Sequence, residues 1–198
     1  MAEELSAHEA LEERLGLIEG CPEWPSALND LDSIGSWMNA WVDEQLLERE
    51  IRTAHLAFQA DRAGGFRELA RLDAMMERSA TPPMIADRLR QLGRRELGRL
   101  RPLGDVRDLT QYRKAVEEGR VVGWWPIVYG LELRVYSIPL TQGLLGYGMW
   151  ALEGALQVAR DRRRLDSETL ERLETVASER LKEGVSAMLH TGFTLRIT

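Results

Sequence analysis

The amino-acid sequence predicts an all-α protein, a single-domain helical bundle of roughly seven or eight helices. Its residue mix is rich in Leu, Ala, Glu and Arg, whose unbranched side chains lose little rotamer freedom in a helix. Apolar residues also recur at helical spacing along most of the chain. A length of 198 residues suits one domain with a sizeable core better than two. We therefore expect residues 1–198 to form one domain.

Charge and cysteine content exclude several classes of protein. The net charge of -6 argues against a nucleic-acid or membrane partner, because either would need a clustered cationic face. The single cysteine, Cys21, cannot form an intramolecular disulfide, and the N-terminus lacks the basic-then-apolar order of a secretory signal. A cytoplasmic location is expected. The uncharged run 135–152 is interrupted by polar residues and a proline, which favours a buried core helix over a membrane span.

The first part of the chain predicts two helices. Residues 2–18 have the spacing of an amphipathic helix, and prolines break it before residue 25. We thus treat 1–25 as an N-terminal helix and loop. Asn29 or Asp30 would cap the next helix, whose apolar stripe continues to Phe58. That helix is predicted to be long or bent.

Two further helices follow, over residues 66–76 and 84–100, separated by a break at 79–83. The face of the second helix opposite its apolar stripe is a row of arginines: Arg88, Arg90, Arg94, Arg95, Arg99 and Arg101. This row has two interpretations: a solvated face paired with nearby acids, or a docking surface for an acidic partner.

A short helix over 109–119, capped by Asp105 or Asp108, precedes the glycine-rich part of the chain. Pro126 is placed to begin a helix and Pro139 to stop it, with a further helix from about 140 to 160.

Four glycines in the predicted helix 140–160 each cost about 1 kcal/mol relative to alanine. Close helix packing would explain them. We therefore predict that this helix lies at the centre of the bundle and that another helix backbone packs on one small-residue stripe: Gly148, Ala151, Ala155 and Ala159.

The last predicted helix is capped by Asp166 or Ser167 and is closed by Gly192. Its apolar face is Leu170, Leu173, Val176, Ala177, Leu181, Val185 and Met188. The C-terminal tail 191–198 has alternating character, so it could pair as a strand or become ordered on a partner.

Residues suited to catalysis are sparse. The three histidines, His8, His55 and His190, and the lone cysteine lack the spacing of a zinc or nickel site. The glycines of 143–148 lack the lysine and preceding strand of a phosphate-binding loop. We expect neither a cofactor nor an enzyme.

The segment Gly123-Trp-Trp-Pro-Ile-Val-Tyr-Gly130 resembles a motif of the urease accessory protein UreF family, Gly-(His/aromatic)-Pro-Val-Val-(Phe/Tyr)-Gly. Ile138-Pro139 falls at that family's interval. Upstream, Arg71-Leu-Asp73 resembles its Leu-Asp step, and Gln91-Leu-Gly-Arg94 its (Ser/Gln)-x-x-Gly-Arg helix. The family's N-terminal Ser-Pro-Ala-Leu-Pro motif is replaced here by the charged residues 2–18.

The resemblance implies a helical, usually dimeric, non-catalytic scaffold that bridges the urease-binding protein UreD and the GTPase UreG during nickel delivery to urease. It implies structural signature positions at Gly123, Pro126, Tyr129, Gly130 and Pro139. It implies partner contacts at His190, Phe193, Arg196, Arg160 and Arg94.

Two alternatives remain open. A UreF-like fold could serve another protein–protein interaction. A small-molecule-binding helical domain could instead have a cavity lined by tryptophans: Trp37, Trp41, Trp124, Trp125 and Trp150.

Overall fold

The computed structural model describes residues 31–60, 64–79, 81, 83–100, 106–163 and 165–190. Every regular element in these ranges is helical, which confirms the all-α prediction. The elements are α1 (Leu31–Trp41), π1 (Val42–Ile51), α2 (Arg52–Phe58), α3 (Phe66–Arg78), α4 (Pro83–Arg99), α5 (Arg107–Glu117), α6 (Trp125–Val135), α7 (Leu140–Arg163) and α8 (Ser167–His190). The predicted N-terminal helix and loop, the cap at Asn29 or Asp30 and the tail lie outside the described residues.

The first three elements form one continuous helix, as its long apolar stripe predicts, so the described ranges contain seven helices. The middle of this helix widens into π-helical turns, in which the Arg52 amide donates to the Leu47 carbonyl five residues earlier. The same spacing brings Gln45 Nε2 within 2.8 Å of Glu50 Oε1, and both side chains are buried. The apolar pattern did not predict this widening, because it does not report which carbonyl each amide reaches.

The helix at the centre of the described bundle is α6. It packs against α2, α3 and α4, and most of its side chains are buried. A Cβ at Gly130 would lie 2.2 Å from the Ala54 carbonyl oxygen, so the backbones of α6 and α2 touch here. The predicted central position of α7 is therefore wrong, since α7 packs mainly on α8 and leaves residues such as Thr141 and Glu153 exposed.

At Gly143 and Gly148 of α7, the space beside the glycine is filled by side chains rather than by another backbone. A Cβ at Gly143 would lie 2.4 Å from Leu133 Cδ2, and one at Gly148 would lie 2.6 Å from Leu181 Cδ1. The prediction of a helix backbone against Gly148 is wrong. Sequence spacing identifies small residues but not the neighbour that fills the space beside them.

Two of the predicted caps have different outcomes. Asp166 caps α8 as predicted, because its Oδ1 accepts a hydrogen bond from the Thr169 amide at 2.8 Å. Of the two caps predicted for α5, Asp105 lies outside the described residues and Asp108 is wrong, because the helix follows Val106 without a side-chain cap. Asp108 instead accepts from Arg134 Nη2 at 2.8 Å, so it links α5 to α6.

The apolar face of α8 is largely as predicted, with one exchange. Val176 is 52% exposed, whereas Ser178 is buried in the face that packs on the rest of the bundle. The helical period brings both positions close to the boundary of the stripe, and packing against neighbouring helices selects Ser178.

The uncharged run 135–152 is divided between the end of α6 and the start of α7. Ser137 adopts a left-handed conformation with φ of 53° in the turn between them, and Pro139 directly precedes α7. Among the helices described, none has both the length and the apolar character needed to cross a membrane.

Candidate functional site

A buried carboxylate, Asp73 of α3, anchors the segment that leads into α6. Its Oδ1 accepts from the Val122 amide at 2.7 Å, and its Oδ2 accepts from the Gly123 amide at 2.9 Å and Tyr112 Oη at 2.7 Å. Asp73 is only 2% exposed, so these three donors replace the water that it lacks. Burial, and next the charge of Asp73, raise the pKa of Tyr112 well above its ordinary value.

The helix α4 lies directly on the backbone of the same segment. A Cβ at Gly93 would lie 2.1 Å from the Gly123 carbonyl oxygen and 2.6 Å from the Trp125 amide nitrogen. Gly123 has a φ of 88°, a left-handed conformation that favours glycine. Arg94 Nε donates to the Val122 carbonyl at 2.9 Å. We call these residues, Asp73, Gly93, Arg94, Val122 and Gly123, the anchor junction.

The anchor junction unites three short motifs that are separate in the sequence. The Leu-Asp step contributes Asp73, the Gly-Arg pair contributes Gly93 and Arg94, and the central motif contributes Gly123. Pro126 then lies in the first turn of α6, where a missing amide hydrogen costs nothing. The motif residues thus set where α6 begins and how it leaves the loop.

Most of the arginine row is paired within the chain. Arg90 donates to Asp87 and Glu77, and its guanidinium carbon lies 4.7 Å from the centre of the buried Trp124 ring. Arg95 and Arg99 both donate to Glu96. Arg88 is exposed, and Arg101 lies outside the described residues. These contacts favour the paired-face interpretation over a docking surface for an acidic partner.

The described partner-contact candidates do not form one patch. α7 and α8 are joined by residues 164–166 and pack along each other, with Gly148 against Leu181, so they run antiparallel. Arg160 is exposed beside the start of α8, whereas His190 ends it, roughly 30 Å away at 1.5 Å per residue. His190 Nδ1 lies 2.7 Å from the Ser186 carbonyl oxygen. Phe193 and Arg196 lie outside the described residues.

A pocket of about 330 Å³ lies between α4, α6 and α7. Two of the five tryptophans proposed to line a cavity, Trp125 and Trp150, are in its wall. Trp124 instead packs beneath Arg90, and Trp37 and Trp41 belong to α1. We call this site the aromatic pocket; it is lined by Leu92, Glu96, Trp125, Tyr129, Glu132, Gly146, Tyr147 and Trp150.

The rings of the aromatic pocket contact one another. Tyr129 meets Trp125 edge-on with ring centres 5.2 Å apart and meets Tyr147 edge-on at 5.1 Å. Trp150 meets Tyr147 at 6.2 Å. Tyr129 Oη donates to the Gly143 carbonyl at 3.0 Å, and Tyr147 Oη donates to Glu50 Oε2 at 2.5 Å. The wall is therefore held in place by hydrogen bonds directed away from the pocket.

Two carboxylates near these rings have perturbed acidity. Burial raises the pKa of Glu132, and the nearby charge of Glu96 raises it further. Burial also raises the pKa of Glu50, although hydrogen bonds from Tyr147 and Gln45 act in the opposite direction. The side chain of Glu132 makes no hydrogen bond or ion pair within the described part of the chain, unlike that of Glu50.

Sequence reasoning missed Glu50 and Glu132. A signal for Glu132 exists, since it is the one acidic residue in the helix Trp125–Val135, whose only other charged residue is Arg134. Asp73 stood within a motif, but its role depended on contacts with residues about fifty positions away.

Neither described site has the composition of a metal centre. Within the described ranges, no three His, Cys, Asp or Glu side chains are close enough together to hold a metal ion. His55 is buried, which lowers its pKa, and its Nε2 lies 2.9 Å from Gln59 Nε2. The geometry thus offers an anchored loop and an acidic aromatic pocket, which are features of binding.

Comparison with known proteins gives one consistent family. The UreF family model matches residues 28–160. The urease accessory protein UreF of Arthrobacter sp. (strain FB24) is 25% identical over 132 residues, covering 67% of this chain and 56% of that protein. The urease accessory protein UreF of Kocuria rhizophila (strain ATCC 9341 / DSM 348 / NBRC 103217 / DC2201) is 30% identical over 115 residues, covering 57% and 47%. The chain spans about half the length of these curated relatives.

Proposed function

The chain belongs to the UreF family, and on that premise we propose that it acts as a non-catalytic urease accessory protein. The observation that carries the proposal is the family match over residues 28–160. That match includes the whole anchor junction, in which the motif residues contact one another. The relatives named above are both urease accessory proteins, which agrees with this role.

In this proposal the chain is a scaffold that bridges a UreD-like protein and a UreG-like GTPase while nickel is delivered to urease. The nickel is cargo of the assembly. The separation of Arg160 and His190 supports bridging, because roughly 30 Å along the α7–α8 hairpin leaves room for a different partner at each end. Phe193 and Arg196 would extend the contact at the His190 end, and Arg94 would contribute from α4.

The test is co-purification with defined partners. The tagged chain is mixed with the UreD-like protein and the GTPase encoded by the same genome, at low and at moderate salt. Both should be retained, and Arg160→Glu and His190→Ala should each weaken retention of a different partner. Lys182→Glu, an exposed charge reversal in the middle of α8, is the matched control. Retention of neither partner by the unaltered chain would overturn the accessory role.

We propose also that the scaffold is a homodimer, as the family resemblance implies. Light scattering coupled to size-exclusion chromatography should give twice the monomer mass. A monomer mass across the concentration range would contradict the dimer without affecting the co-purification result.

A further inference from the structure

The aromatic pocket contains a carboxylate that the described part of the chain leaves without a partner. Glu132 projects from α6, the central helix of the described bundle, and its carboxylate receives neither a hydrogen bond nor an ion pair from the described residues. The nearby charge that acts on the pKa of Glu132 is that of another acid, Glu96. A partly buried carboxylate beside a like charge is an unfavourable arrangement unless a cation joins it.

The rest of the wall determines which cation fits. Tyr129 and Trp150 are half-buried and can offer ring surface to a ligand, whereas Trp125 and Tyr147 are buried beside them. The negative faces of aromatic rings attract cations. A guanidinium suits this combination better than an ammonium, because it is flat, stacks on rings and can donate two hydrogen bonds to one carboxylate. The volume of about 330 Å³ is at the small end of ligand pockets, enough for one long side chain.

The pocket is preformed for such a guest. Tyr147 is fixed from behind by Glu50, and Tyr129 by the Gly143 carbonyl, so neither ring must be ordered when a ligand arrives. Glu96 already accepts hydrogen bonds from Arg95 and Arg99, which leaves Glu132 as the acid available to an incoming cation.

We propose that the aromatic pocket binds an arginine side chain of a partner protein, with its guanidinium paired to Glu132 and stacked on the aromatic wall. The net charge of -6 complements a basic partner surface. The choice of a protein as the source of the arginine rests on the proposed accessory role. The preference for a guanidinium rests on the pocket alone.

The pocket chemistry is tested with small probes on the purified chain. N-acetyl-arginine amide is titrated while the indole N–H signals of Trp125 and Trp150 are followed by NMR. We expect saturable shifts with a dissociation constant on the order of a millimolar, since one side chain supplies only a few contacts. N-acetyl-lysine amide should bind several-fold more weakly, and N-acetyl-norleucine amide should leave the signals unchanged. Absence of saturation with the arginine probe, or tighter binding of tetramethylammonium, overturns the proposal.

A charge-neutral variant isolates the role of Glu132. Glu132→Gln preserves the size of the side chain and should abolish saturable binding of the arginine probe. The matched control is Glu174→Gln, which removes one exposed acid on α8 far from the pocket and should bind as the unaltered chain does. Thermal unfolding of both variants confirms that each is folded. Equal binding by Glu132→Gln and the control overturns the proposal.

The same variants distinguish this inference from the proposed function. In the co-purification assay, Glu132→Gln should retain one partner at least several-fold less well than Glu174→Gln. If both variants retain both partners equally, the arginine site is overturned and the accessory role stands. If the unaltered chain retains no partner, the accessory role and the protein source of the arginine are overturned, while the probe titration decides the pocket chemistry.

Discussion

Asp73 and Glu132 are carboxylates in the same helical bundle, yet their surroundings differ. Asp73 accepts three hydrogen bonds and ties α3 to the start of α6. Glu132 accepts none from the described residues and faces another acid across a pocket. A satisfied buried charge restricts the chain to one conformation, whereas an unsatisfied one retains the capacity to bind something else. The anchor junction is therefore structural, and the aromatic pocket is the better candidate for a ligand.

The largest loss of stability is expected from a substitution at Gly93, where the anchor junction has no room for a side chain. Gly93→Ala should lower the free energy of unfolding by about 3 kcal/mol, because its Cβ would meet backbone atoms that cannot rotate away. Gly98→Ala on the same helix has no heavy atom within 4 Å of the new Cβ. It should stabilise the protein by up to about 1 kcal/mol through helix propensity. Urea unfolding measures both, and similar values for the two variants would refute the close contact at Gly93.

A smaller loss is expected when the anchor itself is neutralised. Asp73→Asn keeps the shape of the side chain, but its amide nitrogen cannot accept from the donors that surround Asp73. At least one backbone amide or Tyr112 Oη then loses its acceptor, at a cost of about 2 kcal/mol. Chemical denaturation provides the measurement. A loss of unfolding free energy below about 0.5 kcal/mol would show that Asp73 does not stabilise the anchor junction.

Glu50 combines features of Asp73 and Glu132. Like Asp73 it accepts hydrogen bonds, here from two donors, and like Glu132 it has a pKa that burial raises. A carboxyl with a raised folded pKa holds its proton more tightly when folded, so its contribution favours folding most at low pH. That contribution declines as pH rises from the ordinary value of 4.5 through the folded pKa. Glu50→Gln stays neutral throughout and lacks this decline.

The difference in unfolding free energy between the unaltered chain and Glu50→Gln should therefore fall as pH rises. Denaturant titrations of both proteins at several pH values above 4.5 test this, because other titrating groups are shared and cancel. Parallel pH profiles would show that Glu50 ionises in the folded state as readily as in the unfolded chain.

The smallest effect on stability is expected at Glu132. Glu132→Gln removes a partly buried charge that has no partner among the described residues and that lies near Glu96. The change should stay within about 0.5 kcal/mol and should be in the stabilising direction. Differential scanning calorimetry of the unaltered chain, Glu132→Gln and Asp73→Asn compares the two changes in stability. A marked destabilisation would mean that Glu132 has a structural partner, and the contrast between the two carboxylates would then fail.

The helices could be predicted because their signals are local. The apolar stripe up to Phe58, the cap at Asp166 and the helix start near Pro126 each depend on a few adjacent residues. The π-helical turns could not be predicted, since the same apolar stripe is compatible with either hydrogen-bond spacing. The exchange of Val176 for Ser178 on α8 likewise depended on which neighbour packs there.

The candidate sites show the same division. Motif resemblance identified the segments that meet at the anchor junction, but not that Asp73 is the acceptor that joins them. The aromatic pocket combines two tryptophans and two acids from three helices. No single segment of the sequence shows that these residues lie close together.

The sequence by itself determined the helical content, the breaks between helices and the family, because propensity, capping and short motifs act over a few residues. The tertiary structure alone decided which helix is central, which glycines touch a backbone and which acids are paired. Gly93 lies against the backbone of residues 123–125, whereas Gly98 has no heavy atom within 4 Å of a new Cβ. The Asp73 carboxylate is surrounded by hydrogen-bond donors, whereas Glu132 lies near another acid. Packing and electrostatic energies depend on distances in space, which residues far apart in the chain acquire only when it folds.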